Sequence, residues 1–150
     1  MDKSVKIPRP AYVLGWAGVL PFAGLSLMTL DNGSGAAVRF EPMLISYGAI
    51  ILSFMGGVHW GLAMIKSTGE DAHVQPWHFA LSVTPALIGW VATQLETSPA
   101  LAVLAVAFLT LLIVDTAWAS GNCAPAWYGR LRLQLTSAVL ACLSAAWIYA

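Results

Sequence analysis

Charge is what this chain has least of. Charged residues are 9% of its 150 residues and hydrophobic residues 59%, with a mean hydropathy of +0.75. A soluble domain carries about 25% charged residues, so water is not the solvent for most of this surface. Seven basic and seven acidic residues cancel to a net charge of zero. No long-range field gathers nucleic acid or acidic partners, and nucleic acid is excluded as a partner. Linkers are also missing: no Gly/Ser-rich or Pro-rich stretch divides the chain. One integral membrane domain over 1–150 is the expected organisation. Cysteine is scarce, with only Cys123 and Cys142. Cys142 lies inside an apolar stretch, several helical turns from Cys123 at about 1.5 Å per residue. A disulfide needs Cα atoms within about 7 Å, so two reduced thiols are expected. Catalytic patterns are missing as well. There is no phosphate-binding loop, dinucleotide fingerprint, nucleophile elbow, or zinc-type His/Glu or Cys pair. No complete catalytic constellation is legible, and a non-enzyme is the expected class.

Long apolar runs are what the chain does have. A bilayer core takes about 20 apolar residues in a helix, within about 17–25. Five stretches qualify: 11–30, 42–65, 79–95, 100–118 and 133–150. The fold class is therefore all-α, a polytopic bundle of five transmembrane helices. The first stretch reads as a retained span, because its apolar run exceeds the roughly 7–15 residues of a signal-peptide core and no A-x-A site follows. The four residues Glu96 to Pro99 make the third and fourth stretches an antiparallel hairpin. Pro99 suits the first turn of a helix, where its missing N–H is not needed. Lys and Arg set the orientation. Lys3, Lys6, Arg9, Lys66, Arg130 and Arg132 fall on one side and only Arg39 on the other. This bias predicts a cytoplasmic N-terminus in a bacterial inner membrane, or the matrix side in a mitochondrial inner membrane.

The second stretch carries the densest pattern, Tyr47-Gly-Ala-Ile-Ile-Leu-Ser-Phe-Met-Gly-Gly-Val-His-Trp-Gly61. Ala49, Ser53, Gly57 and Gly61 recur every four residues and form a stripe of small side chains, with Trp60 beside it. Helices in lipid associate through close backbone approach across small residues. Gly57 and Gly61 are the expected point of closest approach, within the chain or against a partner. His59 lies on the flank of the same helix.

The topology gathers His59, Asp115, Arg130 and Arg132 at one membrane level. Ionisable groups at that depth are costly and face protein or water, often in pairs. The expected arrangement is Asp115 paired with Arg130 or Arg132, pinning helix four to helix five. An anionic or quinone head-group pocket is the alternative. Of the three histidines, His59 and His78 could flank one cavity as in a bis-histidine haem site, whereas His73 lies in a polar loop. The residue pattern predicts no cofactor or metal; haem or quinone is the minority reading.

Taken together, these motifs resemble a family. The stretch 47–61 resembles the central motif of a domain-of-unknown-function family of small polytopic membrane proteins that includes mitochondrial transmembrane protein sixty-nine. Leu14-Gly-Trp-Ala-Gly-Val-Leu-Pro-Phe22, Ser82-Val-Thr-Pro85 and Pro125-Ala-Trp-Tyr-Gly-Arg-Leu-Arg132 leading into Leu135-Thr136 are similar too. Asp115 stands where the family's acidic residue is expected. The resemblance implies a five-helix inner-membrane protein and brings no catalytic roles.

The functional expectation is a non-catalytic accessory, assembly or scaffold subunit of an energy-transducing inner-membrane complex, respiratory or photosynthetic. Its partners would be membrane lipids and a membrane protein or a second copy of the chain. The first rival is a lipid- or quinone-binding or transport protein, with a cavity open to the bilayer beside His59, Trp60 and Arg130. The second is a haem protein or enzyme.

Overall fold

The computed structural model describes residues 6–30, 36–66, 76–120 and 124–150. Lys3, His73 and Cys123, and the side chains of Arg39 and Lys66, lie outside that description. The described residues form five helices: α1 (Arg9–Thr29), α2 (Ala36–Lys66), α3 (Pro76–Ala92), α4 (Thr97–Ser120) and α5 (Ala126–Tyr149). Four of them, all but α3, are long and apolar enough to cross a membrane. At 17 residues α3 sits at the short end of the spanning range. The fold is all-helical, as the apolar runs imply.

Each core-forming helix buries one stripe and turns the rest outward. On α4 the stripe is Leu101, Leu104, Phe108, Leu111 and Asp115. On α5 it is Arg132, Thr136, Val139, Leu143 and Ala146, and on α2 it is Ile45, Ala49, Leu52, Gly56, His59 and Ala63. Steps alternate between three and four residues, which keeps a position on one side of a 3.6-residue helix. The outward faces carry exposed Leu20, Leu27, Ile50, Phe54, Val106, Ile113 and Ile148, as expected of side chains solvated by lipid. Phe22 of α1 sits at the centre of the bundle, edge-on to Tyr47 at 4.9 Å and to Phe108 at 6.0 Å. The Tyr47 hydroxyl donates to the Gly18 carbonyl at 2.9 Å. α2 touches α1, α3 and α4, while α5 closes the bundle against α1 and α4.

Two helix starts correct the sequence reading. α2 begins at Ala36, not 42, and α5 at Ala126, not 133. Apolar runs mark where lipid lies, whereas a helix continues wherever its polar side chains find partners. Glu41 accepts a hydrogen bond from the Thr97 hydroxyl at 2.9 Å, and Arg132 Nε donates to Asp115 inside the bundle. Pro125 caps the start of α5, and the Tyr128 N–H donates to its carbonyl at 2.9 Å. Trp127 and Tyr128, which precede the apolar run at 133–150, thus lie in the first turn of α5. Conversely, α3 stops at Ala92, where tight turns from Gln94 to the Val91 carbonyl and from Leu95 to the Ala92 carbonyl take over.

Within the chain, only part of the small-residue face of α2 meets α3. A Cβ on Gly56 would collide with the Ser82 carbonyl of α3, and one on Gly89 would lie 3.1 Å from the Ala49 backbone. Close approach between α2 and α3 therefore runs through Ala49, Gly56 and Gly89. A Cβ on Gly57 or Gly61 meets nothing within 4 Å among the described residues. Positions four apart advance about 40° per step at 100° per residue. A strict four-residue stripe therefore drifts off the contact line that Ala49 begins. The Ser53 hydroxyl turns back to the Ala49 carbonyl of its own helix at 2.9 Å.

Candidate functional site

The three buried stripes carry polar residues near the same end of the bundle. His59 comes from the last two turns of α2, Asp115 from the second-to-last turn of α4, and Tyr128 and Arg132 from the first two turns of α5. Antiparallel packing of α4 on α5 brings the C-terminal part of one beside the N-terminal part of the other. Asp115 is the hub. Its Oδ1 accepts from His59 Nε2 at 2.6 Å and from the Tyr128 hydroxyl at 3.2 Å. Its Oδ2 accepts from Arg132 Nε at 2.5 Å. Asp115 and His59 are each 1% exposed and Arg132 is 5% exposed.

A bare charge costs about 2.5–3.5 kcal/mol at the centre of a spanning helix even on insertion-derived scales, and a buried one nearer the membrane face still has to be paired. Here carboxylate and guanidinium neutralise each other directly, and charge-assisted bonds of this kind are short and strong. Three donors on one carboxylate leave it little capacity to act as a free base. The arrangement locks α2, α4 and α5 together.

Of the two arginines considered from the sequence, Arg132 is in the cluster and Arg130 is exposed outside it. Tyr128 is the member that the sequence reading missed. It lies four residues before Arg132, on the same helix face, but that signal exists only if helix α5 already covers position 128. Trp60 is half-exposed and stands edge-on to Phe79 at 4.9 Å. His78 stacks on its neighbour Trp77 at 3.8 Å. No cluster of three or more His, Cys, Asp or Glu side chains suited to a metal ion occurs among the described residues.

A cavity of about 130 Å³ does lie beside the cluster, between α1, α2 and α5. Its polar lining is Arg132 and Thr136, and neither His59, Trp60 nor Arg130 contributes to it. A larger groove of about 430 Å³ runs between α3 and α4, lined by apolar residues and two threonines.

Comparison with known proteins identifies a family and relatives named as transmembrane proteins. Residues 7–148 match the family described as Protein of unknown function (DUF3429). The chain belongs to the DUF3429 family. Transmembrane protein 69 of Xenopus tropicalis is 34% identical over 134 residues, covering 86% of this chain and 50% of that protein. Transmembrane protein 69 of Mus musculus is 34% identical over 86 residues, covering 57% of this chain and 34% of that protein. The chain thus spans half or less of the length of these relatives. No solved structure matches it. The family membership and the relatives make this DUF3429 protein a membrane protein.

Proposed function

We propose that this DUF3429 protein is a non-catalytic accessory subunit that docks a membrane-protein partner in an energy-transducing inner membrane. The observation that supports this reading is the open glycine pair on α2. Gly57 and Gly61 sit one turn apart on the outer side of the helix, flanked by exposed Phe54, Trp60 and Met64. Glycine inside a helix costs about 1 kcal/mol relative to alanine. Among the described residues nothing offsets that cost, because no neighbour lies within 4 Å of a Cβ at either position. Lipid chains do not need a notch of this shape. A second helix does, since two backbones approach closely only across small residues. The occupant is read as a transmembrane helix of a partner subunit.

The test is purification of tagged protein from native membranes in mild detergent. Gly57→Leu and Gly61→Leu should each lose the co-purifying partner while thermal unfolding of the chain stays unchanged. Ile113→Leu, on the exposed face of α4, should retain it. Equal partner recovery in all three variants would end the docking reading. A wild-type chain that recovers only a second copy of itself would replace the heterologous partner by a homodimer.

A further inference from the structure

The cavity between α1, α2 and α5 points to a ligand, independently of partner docking. Two buried polar atoms of residues that line it have no hydrogen-bond partner among the described residues: Arg132 Nη2 and the Thr136 hydroxyl oxygen. Both residues are at least nine-tenths buried, at 5% and 1% exposure. They lie one turn apart on α5, so their side chains project to the same side. A buried donor or hydroxyl left unsatisfied keeps its full desolvation cost. Two of them beside one cavity define a polar floor.

The remaining walls are apolar, among them Leu14 and Gly18 of α1, Phe54 of α2 and Val139 of α5. Leu14 and Phe54 are 71% and 65% exposed. The cavity rim therefore reaches the lipid-facing surface. Its 130 Å³ far exceeds the roughly 30 Å³ share of one water molecule, but is too small to enclose a whole lipid. An occupant would place a compact polar end on the floor and leave its apolar tail in the bilayer.

Charge decides what that polar end is. The guanidinium of Arg132 is already balanced by Asp115 through its Nε. What remains toward the cavity is an N–H donor and a hydroxyl, with no uncompensated charge. We propose that this cavity binds the carbonyl oxygen of an uncharged, lipid-soluble molecule, with Arg132 Nη2 as donor and the Thr136 hydroxyl beside it. Quinones and ester lipids share this chemistry.

The experiment uses the full chain in nanodiscs with two photoactivatable probes, a diazirine-bearing benzoquinone and a diazirine-bearing diacylglycerol. Adducts are mapped by mass spectrometry. At least one probe should label the 14–18 and 51–55 segments and be displaced by its own unlabelled form. Labelling by the benzoquinone alone assigns a quinone, by the diacylglycerol alone an ester lipid, and by both a carbonyl site open to either. Gly18→Leu should abolish labelling by filling the cavity, since a Cβ at Gly18 meets nothing within 4 Å. Thr136→Val should weaken it about two- to tenfold, the range for one neutral hydrogen bond. Three results would overturn the proposal: no displaceable adduct on those segments with either probe, labelling unchanged in both variants, or displacement by an anionic fatty acid in preference to the neutral probes. If Gly18→Leu fails to fold, Thr136→Val and the adduct map decide.

Discussion

At the scale of single residues, Asp115 holds the most consequential position. It takes hydrogen bonds from two helices and ends the buried stripe of its own. Breaking a buried pair by removing one member costs about 3–5 kcal/mol, because the other charge stays buried without compensation. Asp115→Asn should therefore lower the thermal unfolding temperature in detergent markedly. Combining it with Arg132→Met should recover part of the loss, whereas combining it with Arg130→Met should recover none. Arg130→Met alone should fall within about 0.5 kcal/mol of wild type, as surface substitutions do. A double variant with Arg132→Met no more stable than Asp115→Asn would remove the pairing as the source of the effect. Tyr128→Phe deletes one 3.2 Å bond and should cost about 1 kcal/mol. The sequence brings Asp115 and the arginines to one membrane level, because topology alone sets depth. It does not distinguish Arg130 from Arg132. That choice depends on whether α5 is already helical at 126–132, and apolar runs carry no information there.

At the scale of helices, the contact between α2 and α3 is built on backbone proximity. Gly56 faces the Ser82 carbonyl and the Pro85 ring, and Gly89 faces Ala49. Gly56→Leu should push α3 away and reduce folded yield, at a cost of at least about 1–3 kcal/mol for overpacking. Gly57→Leu, one residue on, should leave the unfolding temperature unchanged. Detergent unfolding of the two variants side by side checks the assignment, and equal destabilisation would show that the face is drawn wrongly. The existence and order of all five helices were legible from apolar run length. Their facing was not. A stripe repeating every four residues and a contact line averaging 3.6 coincide at Ala49 and separate by Gly57. Only the position of α3 reveals which one the fold uses.

At the scale of the whole molecule, the basic residues set a direction that composition makes testable. Six of the seven Lys and Arg residues fall on one expected side, which predicts a cytoplasmic N-terminus. Reporter fusions at Ala150 and within 66–75 should report opposite compartments. Matching compartments would require an even number of crossings, with the short helix α3 the first suspect. The link between Asp115 and Arg132 also bears on how the protein is made. Their partners lie on consecutive helices joined by a short connection. A nascent α4 that reaches the translocon alone carries an uncompensated carboxylate, which resists release into lipid. Emergence of α5 supplies the guanidinium. The two helices should then leave the insertion machinery together, as one neutral hairpin. Chains stalled with α5 still inside the ribosome should stay crosslinked to the translocon, and Asp115→Asn chains of the same length should already have departed.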